Sequence, residues 1–248
     1  MKPIAVQLYS LRAEAAVDFE KVIRDVAAIG YNGVEPAGFH EMTPASFQAL
    51  VEDLGMEVCS SHSPWATPDN LTEVIDTIGV LGLSRAAGGF RPDDFKDMDA
   101  IKRTADMVNG MVDVLAKSGL DLFLHNHWWE FEVVDGKLAY DHFAALCPGV
   151  KFEIDTYWAA NFGANNPAEQ VAKFRSRAPL LHIKDGPLEK GKAMVAVGQG
   201  RMDIPGVIAA ADPDVLEWLI VELDACDTDM LTAVRESHDY LRGLQSGT

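Results

Sequence analysis

A short β-prone run followed by a longer amphipathic helical run recurs eight times along the chain, and nothing else in the sequence constrains the fold as strongly. The predicted strands are Ile4–Tyr9, Gly33–Pro36, Glu57–Ser61, Arg85–Gly88, Asp121–Asn126, Lys151–Asp155, Leu180–Lys184 and Trp218–Glu222. The predicted helices are Asp18–Ile29, Pro44–Leu54, Leu71–Leu81, Met98–Lys117, Tyr140–Leu146, Pro167–Arg177, Ile204–Ala211 and Met230–Leu244. Thr43-Pro44 and Asn166-Pro167 read as an N-cap followed by proline in the first turn. Gly30, Gly55, Gly82 and Gly119 fall just past helical runs, where a left-handed residue ends a helix. Strict strand–helix alternation implies parallel strands joined by helical crossovers. Eight units in 248 residues fit a closed (β/α)8 TIM barrel spanning residues 1–248 as one domain. An open doubly wound sheet is the alternative, but it calls for a glycine-rich turn after the first strand, and LYSLRAEAA is not one.

The 38 acidic residues against 21 basic ones give a formal charge of −17, which opposes nucleic acid and anionic membrane surfaces as partners. No apolar run approaches the length of a membrane span, and the N-terminus reads as a strand rather than a signal sequence. Cys59, Cys147 and Cys226 are an odd, scattered set, so reduced cysteines and a cytoplasmic location are expected, with Cys59 and Cys147 as packing residues.

In a barrel of this kind the C-terminal strand ends form the active site. Here they carry Gln7, Tyr9 and Arg12, then Glu35, His62, Arg91, then His125, His127 and Glu130, then Asp155, then His182, Lys184 and Asp185, and finally Glu222 and Asp224. Alternation sorts them. In Lys151-Phe152-Glu153-Ile154-Asp155, Phe152 and Ile154 suit the helix-facing side and Asp155 points inward. In Leu181-His182-Ile183-Lys184, His182 and Lys184 point inward, and Glu222 ends its strand on the inward phase. His125 and His127 share a phase. Carboxylate, imidazole and carboxylate from adjacent strands make a divalent-metal site for Mn, Co, Zn or Mg. Each residue also has a structural reading. His182 alone would pass as a core histidine, Lys184-Asp185 as an ion pair, Glu35 as a partner of Arg12, and one of the tryptophans Trp65, Trp128, Trp129 and Trp158 as loop packing. Gly198-Gln199-Gly200 reads as a tight turn that places Arg201 and Asp203 near the site, since it lacks the lysine of a phosphate loop.

QLYSLR, GYNGVE, HNHWWEF, FEIDTYWA, LLHIKD, VGQGRMD and IVELD, spread over nearly the whole chain, resemble the xylose isomerase-like TIM barrel superfamily, the sugar phosphate isomerase/epimerase group. The resemblance implies a divalent metal held by a Glu, Asp, His, Glu set from strands five to eight. Asp155, His182 and Glu222 match three of these positions. Where ketose epimerases have glutamate at the end of strand five, this chain has His125, so the fourth ligand is Glu130 reaching back or His125 itself. The histidine three residues after the aspartate in those epimerases is Trp158 here.

The expected activity is therefore a metal-dependent isomerase or epimerase acting on a keto-sugar or cyclitol through an enediolate. His125, His127 and Lys184 are the catalytic candidates. Glu130, Asp155, His182 and Glu222 are the metal candidates, and Tyr9, Glu35, His62, Trp128, Trp158 and Arg201 the substrate-binding ones. A lyase, dehydratase or keto-glycoside-cleaving enzyme of the same fold, or a non-catalytic sugar-binding barrel, is the alternative. A nuclease of the endonuclease IV type would need a basic rim that this composition lacks. A homo-oligomer is expected for this class, with no contact surface assigned.

Overall fold

The computed structural model describes residues 1–247. Eight parallel strands and eight principal helices alternate: β1 (Ile4–Gln7), α1 (Phe19–Ile29), β2 (Gly33–Glu35), α2 (Pro44–Asp53), β3 (Glu57–Val58), α3 (Leu71–Val80), β4 (Arg85–Gly88), α4 (Met98–Ala116), β5 (Asp121–His125), α5 (Ala139–Leu146), β6 (Lys151–Asp155), α6 (Pro167–Phe174), β7 (Leu180–Ile183), α7 (Ile204–Ala210), β8 (Trp218–Val221) and α8 (Met230–Ser246). A small antiparallel hairpin, Val133–Val134 with Lys137–Leu138, lies between β5 and α5. The ladder order β3-β2-β1-β8-β7-β6-β5-β4 is that of a (β/α)8 barrel. Among the described residues no ladder joins β3 to β4. There the segment after β3 crosses over, and Ala66 N–H donates to the Ala87 carbonyl at 2.7 Å. Among the described residues no helix is long and apolar enough to cross a membrane.

Strand and helix starts agree with the sequence reading within a residue, whereas four of the eight strands stop one residue earlier than predicted and two stop earlier by more. Beyond Gln7, Val58 and Ile183 the chain leaves the ladder to turn side chains over the barrel mouth. Leu8–Leu11 is a 3₁₀ turn, and Ser60–His62 runs as an irregular segment. The predicted caps form as drawn: Thr43 Oγ1 accepts from Ser46 N–H, and the Asn166 side chain accepts from Ala168 N–H.

Alternation divides the core in two. The helix-facing phase (Val6, Val34, Leu124, Phe152, Ile154, Leu181, Ile183, Leu219, Val221) joins the helices in one large apolar cluster. The inward phase makes a separate plug of Ala5, Cys59, Ala87, Phe123, Leu180, Trp218 and Ile220 at the N-terminal half of the barrel. Cys147 lies outside it on α5's C-cap, where burial pushes its thiol up to about 12.

Gly33 admits the plug. A Cβ there would lie 2.8 Å from the Glu57 carbonyl oxygen and 2.9 Å from the Trp218 ring. Gly33→Ala is expected to lower unfolding stability by about 1–3 kcal/mol through overpacking, read as a shift in the denaturant midpoint at unchanged slope.

Candidate active site

The inward phase changes from apolar to ionisable at the C-terminal half of the strands, and it does so at two depths. Glu35 on β2, His62 after β3 and Glu153 on β6 form the lower level. Asp155 on β6, Lys184 after β7, and Glu222 and Asp224 after β8 form the upper one. His125 on β5 and His182 on β7 stand between them. All but Asp224 are buried.

The upper level is organised by Lys184. Its ammonium lies 2.8 Å from Asp155 Oδ2, 2.8 Å from Glu222 Oε2 and 2.7 Å from Asp224 Oδ2. Burial alone would pull the ammonium down, but these three charges outweigh it and hold it well above its usual range. Burial pushes Asp155 up to about 6 against the pull of Lys184. Asp155 is fixed from both sides. Its Oδ1 accepts from Trp158 N–H, while its backbone exchanges two hydrogen bonds with the Asn126 carboxamide.

At the lower level Glu153 Oε2 lies 2.5 Å from His62 Nε2 and 3.2 Å from His125 Nδ1. Glu35 Oε2 accepts from the Gln7 amide and lies 2.7 Å from His182 Nε2. His182 Nδ1 faces upward, 2.7 Å from Glu222 Oε2. Burial lowers His182, but Glu153, Glu35 and Glu222 outweigh it and carry it well above its ordinary value. His125 goes the other way. Burial holds it well below, so it is a neutral imidazole, the form that ligates a metal.

Two groups of four buried donors bring their ligating atoms within 4.8 Å of one another: His125, Asp155, His182 and Glu222 above, and His62, His125, Glu153 and His182 below. The upper group fits a divalent ion. It is a mixed nitrogen and oxygen set from four consecutive strands, and its buried carboxylate oxygens Asp155 Oδ2 and Glu222 Oε2 already converge on a cation, the Lys184 ammonium. Above it opens a cavity of about 410 Å³, walled by Tyr9, His62, Trp65, His127 and Trp158, with Lys184, Glu222 and Asp224 in its floor. The cavity at the opposite barrel end, about 260 Å³, lies around the Arg85–Glu217 ion pair and the strand starts.

The HNHWWEF stretch divides its labour. His125 enters the barrel, Asn126 locks β5 to β6, and His127, 32% exposed, stands in the cavity wall and stacks on Trp129 at 4.2 Å. Glu130 does not reach back to either group. Its Oε2 accepts from the His127 N–H at 2.9 Å, and Oε1 lies 3.7 Å from His127 Nδ1. The short 3₁₀ turn Trp129–Phe131 points its carboxylate at its own loop.

Four other expectations are corrected. Glu35 sits under the site rather than against Arg12, which instead donates to the carbonyls of Tyr9 and Asp224. Lys184 and Asp185 do not pair. Asp185 accepts from the backbone N–H groups of Gly186, Gly198, Gly200 and Met202. That loop turns Arg201 to a separate surface cavity and makes Asp203 the N-cap of α7, so neither reaches the strand ends. Trp128 packs on Phe162 at 5.7 Å beneath Lys190, outside the cavity lining. Asp224 and Trp65, which the sequence places at strand ends without a role, line the cavity, and Glu153 joins the site although the sequence reading assigns it none. Glu153 was legible, because in Glu153-Ile154-Asp155 it shares the inward phase of Asp155.

A parallel (β/α)8 barrel with a buried carboxylate–imidazole set at its C-terminal strand ends defines a class of barrel, and sequence and structural comparisons agree with it. A family model for the xylose isomerase-like TIM barrel matches residues 23–244, and the chain belongs to that family. The fold is similar to a sugar phosphate isomerase/epimerase from Parabacteroides distasonis ATCC 8503, with TM-score 0.81 and 24% identity over 97% of this chain and 93% of that one. It is also similar to an L-ribulose 3-epimerase (TM-score 0.72, 14% identity, 99% and 95% covered). A third similar structure is the probable 3-DHS dehydratase of petrobactin synthesis from Bacillus anthracis (TM-score 0.74, 12% identity, 98% and 99% covered). No curated protein matches the sequence.

His125→Ala is expected to weaken Mn²⁺ binding by at least about tenfold, and Glu130→Gln to leave it within about threefold, measured by calorimetry on metal-stripped protein.

Proposed function

We propose that the chain is a divalent-metal-dependent isomerase or epimerase of an uncharged keto-sugar or cyclitol. One observation carries this reading: four buried donors, His125, Asp155, His182 and Glu222, converge beneath an aromatic-walled cavity. These four residues would hold a divalent ion, which would supply Lewis-acid polarisation of a substrate carbonyl and so ease loss of a proton from the neighbouring carbon.

The chain's own groups supply the rest. His127 is the base. It is the imidazole in the cavity wall outside both donor groups, and Glu130 behind it fixes the loop and faces its Nδ1. Lys184, aimed into the cavity floor, offers an ammonium hydrogen bond to the oxygen that gains charge. Tyr9, Trp65 and Trp158 present faces suited to the apolar side of a sugar ring. The absence of phosphate from the substrate follows from charge. No arginine lines the cavity, its one ammonium is already shared by three carboxylates, and Glu222 and Asp224 line its floor.

The test is a panel of keto-sugars and cyclitols incubated in D₂O with metal-stripped protein reloaded with Mn²⁺, Co²⁺, Zn²⁺ or Mg²⁺. Deuterium at the carbon next to the carbonyl, with an isomer or epimer as product, is the expected outcome. Asp155→Asn and His182→Ala should lose both ion binding and turnover. His127→Ala should keep the ion and lose roughly 10²–10⁴-fold in kcat. Loss of water or an alcohol from the product would assign the alternative, a lyase using the same proton abstraction. Full activity in metal-stripped protein would overturn the reading.

A further inference from the structure

The lower donor group is not explained by the reaction proposed above. Glu35 and Glu153 are fully buried, and one oxygen of each, Oε1, makes no hydrogen bond and faces only an imidazole nitrogen, His62 Nε2 at 3.5 Å from Glu35 and His182 Nε2 at 3.3 Å from Glu153. Like charges sit together here. No lysine or arginine among the described residues pairs with either carboxylate, while Lys184 serves the upper three. Two buried carboxylates this close are costly unless they share positive charge, which here comes only from imidazoles or from a bound cation. Around these two stand three imidazoles, with ring centroids 5.0 Å (His62–His125), 5.4 Å (His62–His182) and 4.7 Å (His125–His182) apart.

We propose that the barrel contains a second divalent-cation site beneath the first, formed by His62 Nε2, His125 Nδ1, His182 Nε2 and Glu153, with Glu35 beside it. Three nitrogens and one carboxylate, all on buried residues, suit Zn²⁺ or Co²⁺, whereas the more oxygen-rich upper group suits Mn²⁺ or Mg²⁺.

The two positions share rings but not nitrogens. His125 turns Nδ1 toward Glu153 and Nε2 toward Asp155, at 3.2 and 3.9 Å. His182 turns Nε2 toward Glu35 and Glu153, at 2.7 and 3.3 Å, and Nδ1 toward Glu222 at 2.7 Å. A neutral imidazole has one lone pair and one N–H. Each ring therefore ligates on one side and donates to a carboxylate on the other. An ion below turns both lone pairs downward and weakens the upper site. An ion above makes Glu153 and Glu35 the acceptors that orient its two histidines. The two ions compete, and the identity of the metal decides which level is filled.

The experiment is equilibrium binding of Zn²⁺ and Mn²⁺, each against a chromophoric chelator, to metal-stripped full-length protein. It is accompanied by the visible spectrum of the Co²⁺ form and a circular dichroism melt of each variant. His62→Ala is expected to weaken Zn²⁺ by at least about tenfold, to alter the Co²⁺ spectrum, and to leave Mn²⁺ within about threefold, and Glu153→Gln to weaken Zn²⁺ by at least about tenfold more than Mn²⁺. Asp155→Asn and Glu222→Gln are expected to do the reverse. In the wild type, added Zn²⁺ should lower the apparent Mn²⁺ affinity. Glu35→Gln replaces Glu153→Gln if the latter does not fold. Zn²⁺ binding that is lost in Glu222→Gln but kept in Glu153→Gln and His62→Ala overturns the proposal, as does equal loss of both ions in the lower variants or no Zn²⁺ binding at all. The catalytic reading fails separately, through absence of turnover with either ion while both binding patterns persist.

Discussion

The ammonium of Lys184 is the contact on which the strand-end layer depends. It is fully buried and draws one oxygen from each of Asp155, Glu222 and Asp224, so a single side chain ties the ends of β6, β7 and β8 together. Without it three carboxylates would face one another in a space that excludes water from two of them, and breaking a buried charge cluster by removing one partner typically costs about 3–5 kcal/mol. With it, the negative side chains that a cation site needs sit at hydrogen-bonding distance from a positive charge. The same contact fixes the direction of Lys184, over the Trp158 ring and into the cavity floor.

Much of this is legible in the sequence. The barrel, the strand starts and the inward placement of Asp155, His182, Lys184 and Glu222 follow from alternation, because a residue on a strand has only two sides to choose from. What alternation cannot supply is depth and direction. Glu130 lies in a loop whose 3₁₀ turn reverses its side chain, and no period in the sequence marks that turn. Glu153 shares the face of Asp155 in FEID, but an acidic residue there is told from solvated charge only when the whole strand is known to be buried. Trp65 and Asp224 come from irregular segments after β3 and β8, where periodicity ends and the path of the chain decides.

The loop after β7 shows how a motif can be chemical in appearance and structural in fact. Asp185 gathers four backbone N–H groups, from Gly186, Gly198, Gly200 and Met202, and so closes the long connection back onto the strand end. Gly200 is required by that closure, since a Cβ there would lie 2.1 Å from Asp185 Oδ1. The charged residues of the segment are left outside. Arg201 turns to the surface and Asp203 starts α7. A carboxylate satisfied by main-chain donors next to a lysine satisfied by carboxylates separates two neighbouring residues, Lys184 and Asp185, into chemistry and scaffold.

The precision of the site is held from the far side of the sheet. On the inward phase of β7, Leu180, His182 and the following Lys184 enter the plug, the donor level and the cavity floor in turn, while Leu181 and Ile183 pack against the helices. The register Asp155↔His182 and Ile220↔His182 sets the imidazole between β6 and β8. A slip of one residue would drive Leu181 and Ile183 among the carboxylates and bury His182 and Lys184 against aliphatic helices, so every polar contact of the site would be lost together with the apolar packing. Polar groups alone do not enforce that register, because each could trade one carboxylate for another nearby. The aliphatic face does, since it has no alternative to the helices it covers. The positions of the histidines are thus specified by leucines and isoleucines that never meet them.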